Sequence, residues 1–159
     1  MRHGKAEDTG QDLNDTDRRL TKKGREEIRT AGHWMAAQGL RFDLIAASPL
    51  VRAQETAGII AGCLGKNDSP ATWKELVPGG NPDTVCRLLA NHTGLHAVLL
   101  VGHEPLLSAL ISRIIAGTGF AAIAMPKGAL AKIRKFSPAT RPSGELHWLV
   151  TASLMAGTK

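Results

Sequence analysis

Apolar residues between Thr21 and Gly39 recur at helical spacing, with Ile28, Ala31 and Met35 on one face. Thr21 is a suitable N-cap and Gly39 a suitable stop. The short apolar run Phe42 to Ala47 predicts a buried strand. Ser48-Pro49 then predicts a second helix, with Ser48 as cap and Pro49 at its first position. That helix runs to about Leu64, with Ala53, Ala57 and Ile60 turned inward. Lys66 to Pro70 reads as a turn, Ala71 to Leu76 as a short strand and Val77 to Gly80 as a loop. A third helix spans Pro82 to His92. Ala97 to Val101 is the best buried-strand candidate in the chain, ended by Gly102. Pro105 opens an apolar helix through about Ile115, and two late strands lie near Ala129 to Phe136 and Glu145 to Ala152. The polar stretch from Lys5 to Arg19 reads as a loop.

Strands alternating with helices predict an α/β fold, a three-layer α/β/α sandwich with a mostly parallel sheet. No internal repeat or linker divides the chain, so residues 1–159 form one expected domain. No apolar run is long enough to span a bilayer, and the opening residues lack the apolar core of a signal peptide. A cytoplasmic location is expected. Cys63 and Cys86 belong to no C-x-x-C pair and read as reduced thiols.

The net charge of +6 favours an anionic partner. The basic residues are spread along the chain, and aromatics make up only 4%, with no tyrosine. A base-stacking surface is therefore not expected, nor are nucleic-acid or membrane partners. A solvated basic surface is the plainer reading of most of these charges.

Three local signals carry candidate chemistry. Arg2-His3-Gly4 alone reads equally as a basic N-terminus. Arg52, within Ser48-Pro49-Leu50-Val51-Arg52-Ala53-Gln54-Glu55-Thr56, follows a strand-to-helix turn and reads alone as a surface arginine beside Glu55. His103, within Val101-Gly102-His103-Glu104-Pro105, reads alone as a helix-capping histidine. In an open α/β sheet, however, ligands bind outside the carboxyl ends of the strands. Arg52 and His103 both belong on that rim. Guanidinium groups match phosphate oxygens in pairs, and imidazole serves as nucleophile or proton carrier near neutral pH. Two histidines with two or three arginines describe a phosphoryl site without a metal.

With these motifs goes a resemblance to the histidine phosphatase superfamily, the phosphoglycerate mutase-like fold, and within it to the SixA-type phosphohistidine phosphatases. It extends to Arg18-Arg19-Leu20-Thr21-Lys22-Lys23-Gly24 and Glu75-Leu76-Val77-Pro78-Gly79-Gly80. The resemblance implies that His3 is the nucleophile, that Arg2 and Arg52 hold the phosphoryl oxygens, and that His103 completes the pocket. Arg18 matches a further phosphate-contacting arginine, with Arg19 one residue away. Glu75 is the candidate general acid, with an ordinary surface carboxylate as the alternative. No cofactor or metal is implied. The implied substrate is phosphohistidine on a signalling protein, with inorganic phosphate as product. Small phosphoesters, or phosphate binding without turnover, are the alternatives.

The resemblance also implies an apolar strand directly before Arg2-His3-Gly4, central in the sheet. The sequence opens at Met1, so that first strand is expected to be missing. Either a start further upstream or a weakly anchored catalytic loop would follow.

Overall fold

The computed structural model describes residues 1–8, 14–117 and 121–157. The middle of the expected Lys5–Arg19 loop lies outside these described residues. Three parallel strands form the sheet in the order β2-β1-β3: β1 is Leu44–Ala47, β2 Ala71–Thr72 and β3 Val98–Val101. The helices are α1 Lys22–Ala37, α2 Val51–Cys63, α3 Pro82–Asn91, α4 Leu106–Ala116 and the short α5 Ala152–Met155. An antiparallel pair, β4 Leu130–Ser137 and β5 Ser143–Val150, follows α4.

Period-2 alternation builds the three layers. Ile45 and Ala47 of β1, with Leu99 and Val101 of β3, pack with α1 and α2. Ala46, between them, packs on the other face with Val85 and Cys86 of α3 and Leu106 and Leu110 of α4. On α1, Ile28, Ala31 and Met35 are fully buried, as their spacing predicts. Each fully buried large apolar side chain of this core contributes about 1.5–3 kcal/mol relative to exposure. Both cysteines are free, and burial raises the Cys86 thiol to about 11.

Several predicted elements differ, and Ala152, expected in the last strand, opens α5 instead. The Ala71–Leu76 strand shortens to two residues, and Lys74–Leu76 forms a 3-10 turn instead. The second helix begins at Val51 rather than Pro49. Ser48 remains at the turn, where its Oγ accepts from the Leu50 N–H at 3.3 Å.

Residues 1–3 run parallel to β3 at its carboxyl end, with Arg2 bridged to Gly102. The Gly102 N–H donates to the Met1 carbonyl at 3.1 Å, and the His3 N–H donates to the Gly102 carbonyl at 3.1 Å. The Arg2 N–H reaches across to the Ala129 carbonyl at 3.0 Å. Beyond this short stretch, β3 and β4 flank an apolar groove of about 890 Å³, lined by residues such as Leu99, Leu130 and Trp148. The segment carrying His3 is nonetheless tied down at several points, contrary to the expectation of weak anchoring.

Candidate active site

Each candidate side chain leaves a strand end or is held against one. β1 delivers the chain to Ser48 and the first turn of α2, where Arg52 is 4% exposed. β3 delivers Gly102 and His103, and the Ser48 N–H donates to the Val101 carbonyl at 3.0 Å, joining the two rims. His3 follows the short pairing on β3.

The loop carrying His3 is gripped from both sides. The Gly4 N–H donates to Thr56 Oγ1 at 3.1 Å, and the Gly128 N–H donates to the His3 carbonyl at 3.0 Å. The Thr21 N–H donates to the Lys5 carbonyl at 2.9 Å. The loop lies so close to α1 that a Cβ at Gly24 would stand 2.0 Å from the Lys5 carbonyl oxygen. Glu55 braces the neighbouring segment. One carboxylate oxygen accepts from the Leu20 N–H and the other from Arg25 Nη2, both at 2.7 Å.

Arg2, His3, Arg18, Arg52 and His103 converge on one cleft of about 240 Å³, completed by Pro78, Glu104 and Lys127. Arg19, the neighbour of Arg18, is exposed and outside this lining. Glu75 is also outside it, because the 3-10 turn Lys74–Leu76 presents Pro78, further along, to the cleft. The carboxylate among the described lining residues is Glu104, whose Oε1 accepts from the Ser108 N–H at 3.1 Å. Arg52 pairs with Asp15 at 2.9 Å, not with Glu55. His103 caps no helix with its side chain; its backbone carbonyl accepts from the Leu107 N–H.

The two rings lie 4.8 Å apart, centroid to centroid, tilted by 52°. His3 Nδ1 is 2.7 Å from the Gly4 carbonyl oxygen. A carbonyl only accepts, so Nδ1 carries the proton and Nε2 keeps its lone pair. Burial, with the positive charges of Arg52, Arg2 and Lys127, lowers the His3 pKa to about 4, against the opposing hydrogen bond to Gly4. Burial, followed by the nearby His3 and Arg52, lowers His103 to about 3. Both rings are therefore neutral at pH 7. Arg2 Nη1 donates to the Met125 carbonyl at 2.8 Å, while Arg2 Nε and both ring nitrogens of His103 are buried without a protein partner. Unpaired buried polar atoms are costly. Donors such as Arg2 Nε suit an oxyanion, whose oxygens accept.

Lys127, Glu104 and Asp15 escaped sequence reading. Lys127 lies in a turn after an apolar stretch and Asp15 in a short 3-10 turn, neither with a periodicity that points to a cleft, and only the fold brings Lys127 to the arginines and Asp15 to Arg52. Glu104 lay inside a quoted motif, but nothing in its spacing separated a cleft residue from a helix-start acid.

A three-layer α/β protein with neutral paired histidines among arginines, at the carboxyl rim of a parallel sheet, has the architecture of a histidine-dependent phosphoryl-transfer enzyme. Residues 1–77 match the Histidine phosphatase superfamily (branch 1). The chain is 32% identical to phosphohistidine phosphatase SixA of Escherichia coli (strain K12) over 120 residues, which is 74% of this chain and 73% of the relative. The chain belongs to the histidine phosphatase superfamily. It superposes on a SixA protein histidine phosphatase complexed with tungstate with a TM-score of 0.87 at 26% identity, covering 98% of this chain and 96% of the other. A shorter match, 40% identical over 76 residues, is to a 2,3-bisphosphoglycerate-dependent phosphoglycerate mutase of Xanthobacter autotrophicus; it covers 45% of this chain and 36% of that protein.

Proposed function

We propose that this protein is a phosphatase that removes the phosphoryl group from phosphohistidine on a signalling protein, through transient phosphorylation of His3. The observation that carries the reading is the orientation of His3: a neutral ring whose Nδ1 is engaged by Gly4, leaving Nε2 as the nucleophile.

The steps follow from that orientation. The Nε2 lone pair forms a bond to phosphorus as the bond to the leaving group breaks on the opposite side. Arg2, Arg52 and Arg18 neutralise the phosphoryl oxygens. His3 then carries the phosphoryl group on Nε2 and the proton on Nδ1. This protonated form is a good leaving group. Water attacks phosphorus, inorganic phosphate departs, and His3 returns neutral with its Nδ1 proton in place. A substrate imidazole protonated on its other nitrogen leaves as neutral imidazole, so the first step needs no proton from the enzyme. That agrees with the position of Glu75 outside the cleft lining, where it has no part in the first step.

The test is a hydrolysis panel of a phosphohistidine protein, a phosphoserine peptide and small sugar phosphates, combined with rapid-quench labelling from phosphate-labelled substrate. Labelled His3 and fastest turnover of the phosphohistidine protein are expected, and His3→Ala loses both label and turnover while remaining folded. Preference for sugar phosphates would overturn the substrate assignment. Phosphate binding without label on His3 would overturn the catalytic one.

A further inference from the structure

Asp15 belongs to the arginine cluster, yet the steps above give it no part. It opens the 3-10 turn Asp15–Asp17, ahead of Arg18. Its carboxylate spans two guanidinium groups: Oδ1 accepts from Arg18 Nη1 at 2.7 Å and Oδ2 from Arg52 Nη2 at 2.9 Å. Its backbone carbonyl accepts from Arg52 Nη1. Residue 15 thus engages both Nη atoms of Arg52. Arg18 has a second support, its Nε donating to the Glu7 carbonyl at 2.7 Å.

Both arginines line the cleft and Asp15 does not. The Asp15 side chain is 52% exposed, against 4% for Arg52 and 16% for Arg18. A carboxylate occupying the phosphoryl position would face the cleft beside His3. This one grips the arginines from the solvent side.

We propose that Asp15 is a positioning residue that couples Arg18 to Arg52 and holds both guanidinium groups toward the phosphoryl oxygens in the cleft. This rests on the cleft being a phosphoryl site, as proposed above. Arginine has a long, rotamer-rich side chain, and a bidentate match to phosphate requires the guanidinium plane to be set beforehand. A carboxylate between two arginines sets both planes at once. It also offsets charge, since Arg2, Arg18, Arg52 and Lys127 all line the same cleft. The guanidinium of Arg52 holds the Asp15 carboxyl below the usual carboxylate range, so the clamp stays charged at working pH.

The test uses the full chain and two probes: inorganic phosphate in calorimetric titration, and a phosphohistidine protein in turnover. Asp15→Asn is expected to weaken phosphate binding about tenfold, the scale of a lost charged hydrogen bond, with no change in melting temperature. It should lower kcat/KM by at least as much. Asp15→Glu should recover part of both. In an Arg18→Ala background the effect of Asp15→Asn should shrink, because Asp15 acts partly through Arg18. Asp17→Asn, in the same turn, should leave binding and turnover unchanged. Unchanged affinity in Asp15→Asn overturns the proposal, and tighter phosphate binding overturns it in favour of a carboxylate that competes with phosphate. Wild-type protein that binds no phosphate would instead overturn the phosphoryl reading itself, and the Asp15 proposal with it.

Discussion

Burying two neutral histidines makes the stability of this protein sensitive to mild acid. In the folded state the pKa is about 4 for His3 and about 3 for His103, against an ordinary value of 6.5. The folded values lie below the unfolded ones, so the unfolded chain takes up protons first as pH falls. The stability contribution is complete above the unfolded pKa and is lost as pH falls through about 6.5 toward the folded values. At about pH 5 an unfolded histidine is almost fully protonated while either buried one is still mostly neutral. The resulting loss is about 2 kcal/mol for each ring between neutrality and pH 5. For a domain whose total stability is about 5–15 kcal/mol, two such losses are substantial.

Urea unfolding followed by tryptophan fluorescence, at pH 7 and pH 5 in phosphate-free buffer, measures this directly. Phosphate must be absent because a ligand bound only to the folded state would stabilise it. The informative comparison is wild type against His103→Gln, which keeps a polar side chain but cannot titrate. Groups elsewhere titrate in both proteins and cancel. Wild type is expected to lose about 2 kcal/mol more than the variant between the two pH values. Equal losses would refute the claim that His103 is held neutral by burial.

Activity of the folded protein, unlike its stability, should tolerate mild acid: the acid limb of kcat/KM, corrected for substrate titration, is expected near the depressed His3 value of about 4 rather than 6.5. Thr56→Val removes the acceptor for the Gly4 N–H and a donor to the Arg52 carbonyl. It is expected to cost about 1–3 kcal/mol in urea unfolding and to reduce turnover more than phosphate binding. Gly24→Ala forces a Cβ against the Lys5 carbonyl, and a melting scan should show a loss of about 1–3 kcal/mol or more, with weakened activity. Lys127 is exposed at the cleft, so Lys127→Ala should leave the melting temperature unchanged and raise KM, with the effect shrinking as salt increases.

What the sequence disclosed and what it hid divide along a physical line. The faces of α1 and α2 follow from apolar periodicity, and the strands β1 and β3 from short apolar runs between turn signals, both local properties. Arg52 and His103 were legible as rim residues because each follows a strand end, whereas Arg2 and His3, whose triplet alone reads as a basic N-terminus, became legible only beside them and through the family resemblance. Boundaries were less legible. Ser48 engages the Leu50 N–H across a turn, and the helix starts only after it, so the cap pattern pointed to the right place with the wrong start. Glu75 illustrates the harder failure. A motif can carry a carboxylate to the right neighbourhood, but whether it faces the cleft depends on a 3-10 turn that no pattern announced. The link from Asp15 to Arg52 and the place of Lys127 in the cleft are legible only in three dimensions, since Arg52 and the other lining residues lie far from them in sequence.

The spacing of the α2 motif has a mechanical explanation. Arg52, Glu55 and Thr56 stand at i, i+3 and i+4, which places them on one helical face. That face looks toward the N-terminal segments. Arg52 engages Asp15, Glu55 the Leu20 N–H and Arg25, and Thr56 the Gly4 N–H. Thr56 Oγ1 also donates to the Arg52 carbonyl at 2.7 Å, which ties the loop contact back to the arginine's own backbone. Gln54 points elsewhere, its amide donating to the Ser48 carbonyl at 2.8 Å and so bracing the strand-to-helix turn. One helical turn therefore supplies a cleft arginine, a support for the segment before α1 and a support for the loop carrying His3. His3, the proposed nucleophile, and Arg52 are positioned from the same rigid element, so an error in the placement of α2 displaces both together. The Arg2-His3-Gly4 triplet gains its chemistry from that helix: without Thr56 and Arg52 it would be a short basic stretch paired to the end of β3.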